Sequence, residues 1–334
     1  MMKRRRLVTA AAAITLQAAA SRAQARPTLR IARIQGINFL PTYLMQQRRL
    51  VEAHAERLGL PSAQVEWIDF PGGGNATDAM LAGAVDVVNA GPGNMLLLWD
   101  RTRGGVKGIV SNSALPAALV SRDPSLNAIT DYGPNDRIAV PTVLVSTQAI
   151  LLEIAAEKAY GADQWRRFNT NAVQLGHGDA YGAMMNPSHE IRSHFASPPF
   201  ITRELHSVPG AHVVTSSTDI LGLPLSTAVM FTTTRFAEQQ PLLVKAIATA
   251  SAEAIATIRS DPEQAARDYL EASKDRMAQA ELVALLGLPD MVFDVKPEGT
   301  LRFAEFLNRI GTLRTRPKAW TEYFLPDAAA LGGS

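Results

Sequence analysis

Along the first two thirds of the chain, short apolar runs of strand character alternate with amphipathic helical stretches, a pattern that predicts an open α/β architecture. Thr28–Ile34 reads as a strand in which Leu29 and Ile31 alternate with polar neighbours. Residues 41–58 read as one helix, opened by Pro41 and ended by Gly59, and residues 65–70 as the next strand. A loop at 71–75 precedes a short helix at 76–82, a strand at 85–90 and a helix running from the 91–94 loop to Arg101. A second series repeats this alternation: strand Arg137–Val140, helix 146–160 closed by Gly161, strand 172–175, a short helix from Asp179, and strand 190–196. From Arg235 onward the pattern is almost wholly helical. Its most apolar stretch, residues 241–258, carries Lys245 and Glu253 and so reads as a helix packed on the body.

Two further pairs of extended runs separate the two series, residues 106–112 with 117–121 and residues 211–216 with 227–232. Two extended crossings between α/β units predict two lobes, each an open α/β domain, joined by a two-stranded hinge. On this reading residues 26–113 and 217–334 form a discontinuous first lobe and residues 114–216 the second. An internal echo supports the pairing: Asp78-Ala79-Met80, a strand, then Ala90-Gly91-Pro92, against Asp179-Ala180-Tyr181, a strand, then Ala196-Ser197-Pro198.

The N-terminus carries an address. Lys3, Arg4, Arg5 and Arg6 form a basic segment, residues 7–20 an Ala-rich apolar run, and Ala23-Gln24-Ala25 a small-x-small cleavage pattern. This order predicts a secretory signal over residues 1–25, cleaved after Ala25, on the Sec or twin-arginine route to the periplasm. The apolar run is shorter than the roughly 18 residues that span a bilayer. The signal also hides the true charge. The 334 residues hold 33 Lys+Arg against 31 Asp+Glu, but five of the cations lie in the first 25 residues, where there is no acid. The remaining chain is mildly acidic, with no footprint for nucleic acid. The absence of cysteine rules out disulfides, thiolate metal sites and a Cys nucleophile.

In open α/β sheets, ligands sit beyond the carboxyl ends of the strands, where helix N-termini present unpaired N–H groups. The strand assignments therefore nominate six loops. In the first lobe they are residues 35–39 with Gly36, Asn38 and Phe39, residues 72–75 with Gly73, Gly74 and Asn75, and residues 91–94 with Gly93 and Asn94. In the second they are residues 142–148 with Ser146 and Thr147, residues 176–179 with His177 between two glycines, and residues 197–199 with Ser197. A phosphate loop fails because no Gly-Lys-Ser/Thr follows the 72–74 glycines; a dinucleotide fingerprint fails because Gly36 stands alone. The other histidines show no metal-ligand spacing: His54 reads as a surface residue and His194 as a satisfied strand histidine or a second ligand contact. No metal and no cofactor is expected. Phe39 and Phe200 are candidate apolar walls, and Arg33 and Arg192 are the cations nearest these loops in sequence.

With these parts assembled, the chain resembles periplasmic solute-binding proteins of ABC transporters, of the nitrate/taurine/aliphatic-sulfonate type related to thiamine-pyrimidine-precursor binders. The likeness rests on residues 29–44 (LRIARIQGINFLPTYL), 65–93 (VEWIDFPGGGNATDAMLAGAVDVVNAGPG), 137–141 (RIAVP), 176–180 (GHGDA) and 194–200 (HFASPPF). It implies a type II periplasmic-binding fold and a small anionic or polar solute (a sulfonate, taurine, nitrate or pyrimidine precursor) closed between the lobes. It also implies a monomer that delivers the solute to an ABC permease and its ATPase subunit, with the loop residues above as contacts and no catalysis. The alternative is an enzyme on the same fold, such as a pyrimidine synthase or small lyase, although the Cys-rich motif of the fungal pyrimidine synthases is absent.

Overall fold

Strand β1 (Thr28–Ile34) pairs in parallel with β2 (Gln64–Phe70) on one side and β3 (Val87–Ala90) on the other. With both of its faces covered, its apolar side chains serve two cores: Leu29 and Ile31 pack with one cluster and Ala32 with the other. These observations come from a computed structural model that describes residues 28–60 and 63–334. The expected signal segment and its cleavage site lie outside the described residues.

The first half of the chain continues through α1 (Leu40–Gln47), α2 (Leu50–Arg57), α3 (Gly73–Leu81), α4 (Pro92–Arg101) and β4 (Val106–Ser113). The second sheet collects β5 (Ala118–Ser121), β6 (Arg137–Val140), β7 (Ala172–Gln174), β8 (Ile191–Ala196) and β9 (His212–Ser216), with helices α5 (Thr147–Tyr160), α6 (His177–Met185) and α7 (Phe200–Ser207). The chain then returns through α8 (Ser217–Leu221) to β10 (Ala228–Thr233), which belongs to the first sheet. It ends in α9 (Thr234–Gln239), α10 (Pro241–Ser260), α11 (Pro262–Ser273), α12 (Gln279–Leu286) and α13 (Thr300–Arg309), followed by short turns of 3-10 helix.

The two sheets have the same plan. The first runs β2-β1-β3-β10-β4 and the second β7-β6-β8-β5-β9. In each, three strands are parallel and the fourth is antiparallel to both neighbours. That antiparallel strand, β10 in one sheet and β5 in the other, is the first strand the chain forms after crossing between sheets. The internal echo in the sequence is therefore a repeat of topology.

The two crossings lie side by side. Thr227 N–H donates to Ser113 O (2.8 Å), the Leu115 N–H donates to Thr227 Oγ1 (3.1 Å), and Ser217 N–H donates to Ala117 O (2.7 Å). The expected pair of extended segments is present, with one modification: the return crossing contains α8. Its start is fixed reciprocally, because Ser216 Oγ accepts from Asp219 N–H and the Asp219 carboxylate accepts from Ser216 N–H.

Several local expectations need correction. The single helix expected over residues 41–58 is two, because Arg49 takes a left-handed backbone (φ 53°) between α1 and α2. The apolar stripe continues through Leu50, Val51 and Ala55, so periodicity alone does not register the break. His54 is buried against Glu253 of α10 (2.7 Å) rather than exposed on the surface. The tail is interrupted by residues 291–299, which run beside β4. Ser111 N–H donates to Val295 O and Ala114 N–H to Val292 O. Helix α10 is long and apolar enough in composition to cross a membrane, yet its Leu243, Ile247, Ala250, Ala254, Ile255 and Ile258 are buried in the first lobe's core.

Candidate functional site

Five helix N-termini, those of α3, α4, α5, α6 and α7, follow the carboxyl ends of β2, β3, β6, β7 and β8. Between them lies a cleft of about 1280 Å³ lined from both sheets and from the end of α11. Its volume exceeds the range of ordinary small-ligand sites, which leaves room for solvent beside a small solute. Unpaired N–H groups and the positive ends of the helix dipoles therefore surround the space, the arrangement that receives anions and polar oxygens.

The local sequence explains how each wall forms. Gly36 sits at φ 132°, a backbone region that side chains avoid, and turns the chain at the end of β1 so that Phe39 N–H can donate back to Gly36 O. Asn38 and Phe39 follow on this turn, and the Asn38 Oδ1 is buried without a hydrogen-bond partner among the described residues. Gly73 and Gly74 belong to the first turn of α3, which begins earlier than the sequence pattern suggests. A Cβ on Gly73 would stand 2.5 Å from Asn94 Oδ1, so the missing side chain lets α3 start directly over α4. Ser146 caps α5 by accepting from Ala149 N–H (3.2 Å), which leaves Thr147 at the first helical position.

Eleven of the twelve residues nominated from sequence line the cleft: Gly36, Asn38, Phe39, Gly73, Gly74, Asn75, Asn94, Ser146, Thr147, His177 and Ser197. Gly93 does not. It is buried one residue inside α4, and a Cβ there would meet Ile150 of α5 at 3.5 Å and Phe303 of α13 at 3.6 Å, so its small size serves lobe-to-lobe packing. Phe200 also lines the cleft and stacks on the His177 ring at 5.6 Å, whereas Arg192 lies elsewhere, paired with Asp123 and Asp136.

The cations at the walls are largely neutralised. Arg33 lines the cleft over the Tyr43 ring (4.4 Å), but its guanidinium is held bidentately by Asp69 at 2.7 and 2.9 Å. Arg203 pairs with Glu281 at 2.8 Å. Lys274, exposed at the end of α11 and itself lining the cleft, forms no ion pair among the described residues. A solute would thus meet amides, hydroxyls, one imidazole and, at the end of α11, the uncommitted Lys274.

Sequence reasoning overlooked Tyr43, Gln148, Arg203, Glu204, Tyr269 and Lys274. The most consequential omission is a chain of buried polar groups behind His177. His177 Nδ1 lies 2.8 Å from His194 Nε2, and His194 Nδ1 lies 2.6 Å from Glu204 Oε1. His194 and Glu204 are fully buried. Burial pushes both imidazoles down to about 3, with the neighbouring His194 adding to the effect at His177, and pushes the Glu204 carboxyl up to about 8. Gln148 extends the network by donating to Ser197 Oγ at 2.7 Å. No sequence signal links residues 177, 194 and 204; only the adjacency of α6, β8 and α7 does.

No protein-family model matches the chain, and no curated protein matches it in sequence. Its fold, however, is shared with solved structures. The periplasmic aliphatic sulphonate binding protein SsuA from Escherichia coli superposes with a TM-score of 0.68 at 16% identity, covering 89% of this chain and 92% of that one. The alkanesulfonate-binding protein SsuA from Xanthomonas axonopodis pv. citri, bound to MOPS, gives 0.65 at 18% identity over 90% and 97%. A Candida albicans protein described as having the generic periplasmic binding protein fold gives 0.63 at 12% identity over 90% and 96%. The chain therefore has the two-lobed periplasmic-binding-protein fold, and its structural neighbours include sulfonate-binding proteins.

Proposed function

We propose that this protein is the periplasmic solute-binding component of an ABC importer, exported by its N-terminal signal. It captures a small anionic or polar organic solute between its lobes and presents it, as a monomer, to a membrane permease driven by an ATPase subunit. The observation that carries this reading is the convergence of five helix N-termini on an interlobe cleft whose arginines are already matched by carboxylates. Such a site favours a compact group with several oxygen acceptors, held by N–H and O–H donors rather than by a full counter-charge. Sulfonates are the first class to test, with taurine, nitrate and pyrimidine precursors following. The sulfonate-binding neighbours support that order.

The direct experiment is mass spectrometry of small molecules released from protein purified out of the periplasm, followed by calorimetry with ethanesulfonate, taurine and nitrate. Micromolar or tighter binding of one of these at a stoichiometry of one, without turnover, is expected. Consumption of a bound compound would instead favour an enzyme on this fold. N-terminal sequencing of exported material should begin at Arg26.

A further inference from the structure

We propose that Glu204 and His194 are positioning residues which, through a shared hydrogen-bond chain, determine whether His177 offers the cleft a donor or an acceptor. The proposal rests on the binding reading above and deepens it, because it names the chemistry this wall selects: a ligand with an oxygen or nitrogen acceptor, such as a sulfonate oxygen.

The chain has two gaps to fill, Glu204 Oε1 to His194 Nδ1 at 2.6 Å and His194 Nε2 to His177 Nδ1 at 2.8 Å. Each gap holds one proton. When Glu204 is protonated, the two neutral imidazoles and the acid bring three protons between them. The second carboxyl oxygen, Oε2, is buried with no partner among the described residues, so a proton placed there would be an unsatisfied donor; the acid proton belongs on Oε1, in the gap. Two protons fill the gaps, and the third appears on His177 Nε2. When Glu204 ionises, only two protons remain, both gaps stay filled, and His177 Nε2 is bare. The acid, buried 0% exposed on α7, thus sets the hydrogen-bonding sense of an atom in the cleft two residues away along the chain of contacts.

Among the described residues, the other titratable groups on the elements packed against this hydrogen-bond chain are exposed or engaged elsewhere. On α7, Arg203 is committed to Glu281 of α12, and His206 is exposed. On α6, Asp179 is exposed and Tyr181 packs against Phe200 at 6.1 Å. On β8, Arg192 turns to Asp123 and Asp136; on β6, Arg137 bonds Thr170 O; on α5, Glu153 is held by Asn169 and Arg166. β5 contributes no titratable side chain. Burial without a cation favours the protonated acid, with its midpoint near 8, so at neutral pH His177 Nε2 carries the proton and donates. The Phe200 ring stacked on His177 holds the plane of the imidazole, and the Gln148 side-chain amide, 3.5 Å from Nε2, can meet Nε2–H only with its oxygen and the bare nitrogen only with its NH2.

The test reads the tautomer directly. Nitrogen-15 NMR of histidine-labelled, ligand-free protein should show His177 as the Nε2–H tautomer at pH 7 and as the Nδ1–H tautomer at pH 9.5. In Glu204→Gln, whose side chain keeps a donor for His194 at every pH, the Nε2–H form should persist. In calorimetry, ethanesulfonate should then bind the parent at least tenfold more weakly at pH 9.5 than at pH 7, with no such change in Glu204→Gln. A His177 tautomer that does not respond to pH in the parent, or that changes equally in Glu204→Gln, overturns the proposal; so does a tautomer change without a change in ethanesulfonate affinity. If ethanesulfonate binds at neither pH, the sulfonate reading fails, while the tautomer shift by itself still supports the relay.

Discussion

Arg203, on the helix that follows the cleft-lining Ser197, forms an ion pair at 2.8 Å with Glu281 of α12, a helix packed on the first lobe through α11. The pair spans the mouth between the second lobe and the helical tail, and Arg203 also lines the cleft. Both side chains are about a third exposed, so the pair contributes in the range of roughly 0–1 kcal/mol. A latch of that size can bias a hinge without locking it.

Arg203→Ala should therefore shift the ligand-free protein toward a more open arrangement, by about threefold in population. Small-angle scattering or a fluorescence pair placed across the lobes would report it. In the parent, a saturating bound solute should reduce the radius of gyration; an unchanged radius would count against closure about the two crossings.

Gly73→Ala places a methyl group 2.5 Å from Asn94 Oδ1, with both residues on the cleft wall. The Asn94 side-chain amide, which makes the nearest contacts, must yield. Binding of the solute released from the purified protein should fall about tenfold or more while the unfolding midpoint changes little. Asn75→Ala and Thr147→Ala each remove a neutral donor and should cost about 1 kcal/mol, several-fold in affinity by calorimetry. Parent-like binding in all three variants would move the site elsewhere.

Gly108→Ala is a test of packing away from the cleft. A Cβ there would collide with the Phe324 ring and stand 2.8 Å from Met95 Sδ, both on the underside of β4. Overpacking of this kind costs about 1–3 kcal/mol, which urea denaturation would record as a lower midpoint at unchanged slope. Solute affinity should be preserved.

Stability should vary with pH in a way set by the buried groups. His177 and His194 fall from 6.5 to about 3, so the unfolded chain binds more protons and stability is lost as pH drops from 6.5 toward 3. Glu204 and Glu153 rise from 4.5 to about 8 and about 7, chiefly by burial, so their stabilising protons are lost as pH climbs from 4.5 through those values. Two rising and two falling contributions oppose each other between 4.5 and 6.5. A plateau there, with declines below 4.5 and between 6.5 and 8, is the expected profile in urea titrations. Glu204→Gln should flatten the upper decline; stability that increases from pH 6.5 to 8 would contradict the assignment.

The sequence by itself determined the alternation of strands and helices, the two series, and which loops stand at strand ends. These features follow from local rules: apolar periodicity, glycine at turns, proline at helix starts. β1 and β6 have the expected ends, and eleven nominated residues meet in one cleft because every parallel strand aims its carboxyl end the same way. Tertiary structure alone decided where Gly93 points, that His54 is buried, and that Arg33 is neutralised by Asp69 across a strand pair. It also decided that His177, His194 and Glu204 share a line of protons. Those relations join residues on different elements, and their cause is the desolvation and contact created when α6, β8 and α7 pack together. Neither has any trace in the order of residues along the chain.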